Sequence, residues 1–309
     1  MPVGLVEPFH PGQGLGDLAY QCVYKAKSNG PRLARVPVAY MSAYLRTVGG
    51  AWQGARMETV GVGEHVAALR RDGELLAAAA QRAGLEAAVP SCPDWAVRDL
   101  LHHVGGVHRW ATFIVASGRA EDVTDEEQDA WFFTAPADSR LLTWFRDGHA
   151  ALVQALEHAD PGLECFTFLP VPSALAFWAR RQAHETAIHR VDAELAAGAV
   201  TPCAPEVAAD GIAELLEGFL ARPGGHLVCD PPRTLAAHAA DTGDRWWLRI
   251  GPEGREVRRG TYAADCTLTG SASDLYRLLW NRGTTDAVDV GGDPAVLALW
   301  REKARILWA

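Results

Sequence analysis

The sequence has no CxxC pair and no dense cysteine framework; its six cysteines (Cys22, Cys92, Cys165, Cys203, Cys229 and Cys266) are scattered over 309 residues. That excludes a disulfide-stapled secreted scaffold and a cysteine-type structural zinc site, and it points to a reducing cytoplasm. No apolar run approaches the ~18 residues needed to cross a bilayer, so no membrane role is expected. Basic residues are not in excess either: 29 Lys and Arg stand against 38 Asp and Glu, for a net charge of -9. A nonspecific grip on nucleic acid or anionic lipid by the body of the protein is thereby excluded. Internal repeats and low-complexity tracts are absent beyond alanine-rich helices. What remains is the balance of a globular chain, 49% hydrophobic and 22% charged, long enough for two cores.

Residues 1–57 stand apart. They hold eight glycines, six basic residues and two acidic ones, and show no sustained period. They lack the apolar stretch and cleavage site of a targeting peptide. They read as a disordered tail, or as upstream sequence wrongly included, with Met57 as the natural start. Four amphipathic helices follow: one from about Gly63 to Gly84 with Val66, Leu69, Leu76 and Ala80 on one face, one starting at Pro93-Asp94, one over 139–159, and one closing at Gly198. This pattern predicts an antiparallel four-helix bundle over 58–200. From 201 to 309 the period changes. A helix at 206–221 precedes short segments predicted as strands: "HLVCD", "RTLAAHAA", "RWWLRI" and "YAADCTLTG". Two more helices flank a short strand, "DAVDV", so a separate, smaller α+β domain is expected.

The fourth helix contains His184-Glu185-Thr186-Ala187-Ile188-His189. The two histidines are one residue too far apart for a zinc-protease signature, roughly 140° around the helix axis. Glu185 and His189 are four apart and can present oxygen and nitrogen to one metal, although such a pair serves equally well on a surface. His184 shares its stripe with Ile188, Val191 and Leu195, which reads as a packing face. A third ligand would come from a facing helix, and the second helix offers three histidines. His102 lies opposite the apolar arc of Val97, Leu100, Leu101 and Val104 and reads as solvated. His108 falls near the centre of the arc, as a buried histidine with one backbone partner, if Gly105-Gly106 does not break the helix. His103 sits at the edge, pointing along a seam, and is the best placed.

The segments "VPSCPDWAVRDLLHHVGGVHRWA" and "FWARRQAHETAIHRVDAE" together resemble the mycothiol-dependent maleylpyruvate isomerase family, within the DinB-like metalloenzyme superfamily. The first is similar to the family's Pro-x-x-Trp-x-Val-x-Asp-Leu-x-x-His pattern, whose last residue corresponds to His103. The second is similar to its Glu-x-x-x-His pattern, at Glu185 and His189. The resemblance extends over about 60–309 and implies a DinB-like bundle followed by a sterol-carrier-protein-like α+β domain. One departure is Ala96, where relatives often carry Thr or Ser in a helix-start box with Asp99. The loss weakens a cap by about 1 kcal/mol and leaves the site untouched.

Two imidazoles and a carboxylate suit a divalent metal, Zn²⁺ first, with positions left open. The resemblance implies mycothiol as thiol cofactor or cosubstrate, its sulfur held as thiolate to attack an electrophilic double bond. The expected activity is that of an isomerase, or of a transferase joining mycothiol to another small electrophile. Arg282, near a helix end in the second domain, is a candidate contact for a substrate carboxylate, with Arg190 as another; a solvated place is the alternative for each. Cys92 reads as a partly buried thiol rather than a nucleophile, and the Trp-rich segments as core. Two other readings stand beside this one: a metal-dependent hydrolase without thiol, and a non-catalytic regulator with a metal clip. The acidic body lacks the basic face a DNA-binding regulator would bring. Oligomeric state is not readable from the sequence.

Overall fold

The computed structural model describes residues 60–304 other than 133, 135, 170 and 222–224. The N-terminal tail expected at 1–57 lies outside the described residues. Helix α1 (Val62–Ala83) buries the face that its apolar spacing marks, with Val66, Leu69, Leu76 and Ala80 all in the interior. It stops at Gly84, whose φ of 82° costs a glycine nothing. Helix α2 (Val97–Ser117) starts later than Pro93 and Asp94 suggest. Residues 84–96 instead fold into a tight loop, pinned by the Val89 N–H on the Trp95 carbonyl and the Val97 N–H on the Ala87 carbonyl, both at 2.9 Å. Ala96 cannot cap the helix with a side chain, but Asp99 accepts from its N–H at 2.9 Å, so half of the helix-start box survives.

Gly105-Gly106 does not interrupt α2. The pair is required by close packing, since a Cβ on Gly105 would fall 2.2 Å from the Trp144 ring. Short helix α3 (Asp125–Phe132), not foreseen, interrupts the crossing to α4 (Asp138–His158); α5 (Ala174–Ala196) completes the helical part. Each long helix has two long neighbours, but the neighbours are not all antiparallel. Arg70 meets Glu157 and Gln81 meets Arg146, so α1 and α4 run in opposite directions. His103 lies by Glu185 and Trp110 by Trp178, so α2 and α5 are antiparallel too. Arg98 meets Asp138 and Arg109 reaches the Trp144 carbonyl, which makes α2 and α4 parallel. His65 faces His184 and Asp72 faces Arg190, so α1 and α5 are parallel. The order is up-down-down-up. The long link through α3 exists because a parallel neighbour must be entered from the far end.

Helix α6 (Pro205–Ala213) continues into a π-helical turn (Glu214–Phe219). A five-stranded sheet follows: β1 (Arg233–Ala239), β2 (Arg245–Gly251), β3 (Gly254–Arg259), β4 (Cys266–Gly270) and β5 (Val288–Gly292), in the order β3-β2-β1-β4-β5. Only β1 and β4 pair in parallel. Helices α7 (Ala272–Leu279) and α8 (Pro294–Lys303) complete the fold. Two expectations change. "HLVCD" at 226–230 is irregular, and the charged segment Gly254–Arg259 is a strand. Being an edge strand, β3 needs no apolar face of its own; Arg255, Glu256, Arg258 and Arg259 blunt it. The sheet's core also takes in Ala187 and Ile188, so α5 is shared between the helical part and the sheet. Among the described residues no helix is long and apolar enough to cross a membrane.

A buried carboxylate on α6 ties these parts together. Asp210 Oδ2 accepts from His65 Nε2 at 3.0 Å, His184 Nε2 at 2.8 Å and Arg180 Nε at 2.7 Å. Burial would raise its pKa, but these partners hold it well below the ordinary carboxylate range. A depressed folded-state pKa contributes stability that is complete above the unfolded value of about 3.9 and is lost as pH falls toward the folded one. Asp210→Asn should therefore cost about 3–5 kcal/mol at neutral pH, because it takes the carboxylate from a largely buried ion pair with Arg180, whose side chain is 16% exposed. Urea unfolding should show the gap between natural protein and variant narrowing as the pH drops from about 5 to 3.

Candidate metal centre

Three buried side chains from two helices converge. His103 Nε2 from α2 lies 3.4 Å from Glu185 Oε1, and His189 Nε2, one turn further along α5, lies 3.3 Å from the same oxygen. The two imidazole centroids are 5.0 Å apart at 73°. One ligand atom from each residue falls within 4.8 Å of the others. The antiparallel contact of α2 with α5 brings them together: His103 edges the apolar face of α2, and the i, i+4 spacing aligns Glu185 with His189.

These separations are long for hydrogen bonds but suit ligands of one ion. Zinc bonds of about 2.0–2.1 Å in a tetrahedron place ligand atoms about 3.3 Å apart. The charges agree. Glu185, Glu214 and Asp192 face the guanidiniums of Arg181 and Arg282, and the cluster accepts a further positive charge: a bound ion, or a proton on His189, which burial disfavours but Asp192 and Glu185 favour strongly enough to raise its pKa. Burial would raise the Glu185 pKa, but its bonds from His103 and His189, with the charge of Arg181, hold it well below the usual value. Burial pushes the His103 pKa down, keeping the neutral imidazole that a metal needs.

The surroundings orient each donor. Arg181 donates to Glu185 Oε2 at 2.7 Å and also pairs with Glu214, leaving Oε1 for the imidazoles. His189 Nδ1 donates to Asp192 Oδ2 at 2.8 Å, which turns Nε2 toward the cluster. Trp95, half-buried in the 84–96 loop, lies against both rings, 5.1 Å from His103 and 6.2 Å from His189.

The other candidate residues are elsewhere engaged. Arg282, expected to meet a substrate carboxylate, meets a carboxylate of the protein. It is buried against the site, donating from Nε to Asp192 Oδ1 at 3.0 Å and from a terminal nitrogen to Oδ2 at 3.2 Å. Arg190 is fully buried and points away, pairing with Glu194 at 2.7 Å and with the Thr201 carbonyl. His108 is buried as expected, but its partner is the Thr186 hydroxyl at 2.9 Å rather than backbone. His102 is half-buried against Trp144 rather than solvated. Cys92 is half-buried as expected, and burial with the nearby Asp192 pushes its thiol up to about 12, away from the thiolate form. Trp246, Trp280 and Trp300 are core.

His184, read as a packing residue, belongs to a second His/His/carboxylate group with His65 and Asp210. Spacing carries little signal of it, because His65, His184 and Asp210 lie on three separate helices. Its three nitrogens, including that of Arg180, crowd a single oxygen at 2.7–3.0 Å, ordinary hydrogen-bond distances. A guanidinium already occupies the place of a cation.

Two family models match the chain. One, described as the mycothiol maleylpyruvate isomerase N-terminal domain, covers residues 66–194; the other, the MDMPI C-terminal domain, covers 206–299. Among solved structures, a crystal structure of the mycothiol-dependent maleylpyruvate isomerase is similar at 15% identity and a TM-score of 0.55, over 77% of this chain and 95% of that one. A histidine-to-alanine mutant of that isomerase is similar at 14% identity and a TM-score of 0.57, with the same coverage. At these identities the likeness is one of fold. No curated protein matches the chain.

An ion held by His103, Glu185 and His189 should appear as about one equivalent of metal per chain after loading with Zn²⁺. Elemental analysis should find it gone from His103→Ala and Glu185→Ala and retained in His65→Ala. Two equivalents in the natural protein would mean that the Asp210 group also takes an ion, contrary to the charge argument.

Proposed function

The chain belongs to the mycothiol-dependent maleylpyruvate isomerase family, and from that premise we propose that it is a metal- and mycothiol-dependent isomerase or thiol transferase. His103, Glu185 and His189 would hold the divalent metal, Zn²⁺ by preference. The observation that carries this reading is the pair of 3.3 and 3.4 Å separations about Glu185 Oε1, which suit ligands of one ion better than hydrogen bonds. The bundle is read as DinB-like over 58–200, and the sheet part over 201–309 as sterol-carrier-protein-like.

When bound, such a metal lowers the pKa of a coordinated thiol and keeps it as thiolate at neutral pH. The chain's own residues prepare that place. Arg181 confines Glu185 to one ligating oxygen. Asp192 fixes the His189 ring, and burial keeps His103 neutral. Trp95 covers the two imidazoles and limits water around them. Isomerising maleylpyruvate requires its double bond to become single long enough to rotate, which reversible addition of a thiolate achieves. The same attack without the return step would leave the thiol joined to an electrophile, as in a transferase. A small-molecule thiol partner also fits a reducing cytoplasm.

Turnover of maleylpyruvate, followed by ultraviolet absorbance, should require both Zn²⁺ and mycothiol and fall to background in His103→Ala. Activity that persists without any thiol would favour metal-dependent hydrolysis. A loaded protein that binds mycothiol but turns over no maleylpyruvate would direct the search to other electrophiles and the transferase reaction.

A further inference from the structure

The metal ligands all lie on α2 and α5, yet two of the charges that orient them come from beyond residue 200. Asp192, wholly buried, receives His189 Nδ1 on one oxygen and is gripped by Arg282 on both. Ser91 adds a hydroxyl. Arg282 is itself held: one terminal nitrogen donates to the Trp280 carbonyl at 2.9 Å. The turn that projects it is strained, because Asn281 has φ 59°, the only positive φ outside glycine among the described residues. The Asn281 side-chain amide is tied to the Ala304 carbonyl at 3.0 Å. A strained turn, anchored at both ends, aims one guanidinium at one carboxylate.

A second arm has the same form. Glu214 opens the π-helical turn and pairs with Arg181, which holds Glu185 Oε2. π-helical turns are rare and are frequently found at functional sites. Each arm therefore runs from the C-terminal part through one charged residue of α5 to one ligand.

We propose that Arg282 is a positioning residue for the metal, acting through Asp192 on His189, so that the C-terminal part completes the metal centre rather than lying beside it. The fork geometry matters. Two parallel N–H donors fix the plane of the Asp192 carboxylate, and that plane sets where Nδ1 of His189 points. Without Arg282 the carboxylate keeps Ser91 but loses its fixed plane, and His189 loses its orientation. The inference rests on the three-ligand site proposed above.

The test is zinc affinity, measured by competition with a chromophoric chelator, in the natural protein, Arg282→Met, Asp192→Asn and the double variant. The expected loss is about 10–100-fold for each single variant, typical of an outer-shell partner, and no greater for the double. Melting of the metal-free proteins, recorded alongside, separates misfolding from weak binding. The double variant leaves no unpaired buried charge and keeps the comparison usable if Arg282→Met is unstable. In turnover assays, saturating Zn²⁺ should restore the rate of Arg282→Met with KM unchanged. A KM that stays raised at saturating Zn²⁺ would make Arg282 a substrate contact and overturn the proposal. Unchanged zinc affinity in folded Arg282→Met and Asp192→Asn would overturn it too, with the three-ligand site intact. Absence of zinc binding in the natural protein would instead remove the three-ligand reading itself.

Discussion

The structure is organised around the cost of burying the Glu185 carboxylate. Only 3% of the residue is exposed, and an ionised carboxylate at that depth must be compensated by charge and hydrogen bonds. Arg181 one turn earlier, His189 one turn later and His103 across the helix seam provide that compensation. Each compensating group then needs its own partner. Arg181 brings in Glu214, and His189 brings in Asp192, which brings in Arg282. The chain of requirements ends only when it has reached the sheet-bearing part beyond residue 200. A polar centre of this kind cannot be half built, because any unpaired member would cost more than an apolar replacement.

That constraint explains α5. From Arg181 to Glu194 every residue is buried, although eight of the fourteen are charged, histidine or amide: Arg181, Gln182, His184, Glu185, His189, Arg190, Asp192 and Glu194. An exposed bundle helix would put such residues outside. Here α1 covers one side, α2 another, and the sheet's core takes Ala187 and Ile188. The π-helical turn and the up-down-down-up order both serve the same packing, since α5 must be parallel to α1 and antiparallel to α2 for Asp72, His103 and Glu214 all to reach it.

How much of this was legible in the sequence follows from the same facts. The face of α1 could be read because its interior is apolar and its exterior polar, so periodicity reports burial. Glu185 and His189 could be paired because both lie on one helix at a spacing fixed by geometry, and His103 because its helix edge and a family pattern agree. His65 with Asp210, and Arg282 with Asp192, could not be paired. Each contact joins residues 90 or more positions apart, and no local rule carries information over that distance. Periodicity on α5 gave His184 a packing role for an understandable reason: its stripe is packed, but against a carboxylate. Strand β3 escapes periodicity because an edge strand blunted by charge has the composition of a loop, and "HLVCD" resembles a strand because apolar residues can cover a core without pairing.

Among the described residues there are two buried groups of two histidines and one carboxylate, one within α2 and α5 and one joining α1 and α5 to α6. Composition does not distinguish them; the position of an arginine does. At Glu185, Arg181 takes the far oxygen, so the near oxygen faces two imidazoles at 3.3 and 3.4 Å with room among them for an ion. At Asp210, Arg180 takes the same oxygen as the imidazoles, drawing all three nitrogens to 2.7–3.0 Å and filling the place with fixed positive charge. The first arrangement leaves the near oxygen open to a cation or to a protonated His189, whereas Arg180 closes the second. One carbon–oxygen bond's difference in where a guanidinium docks thus separates a group suited to a metal from one that serves as a structural clasp.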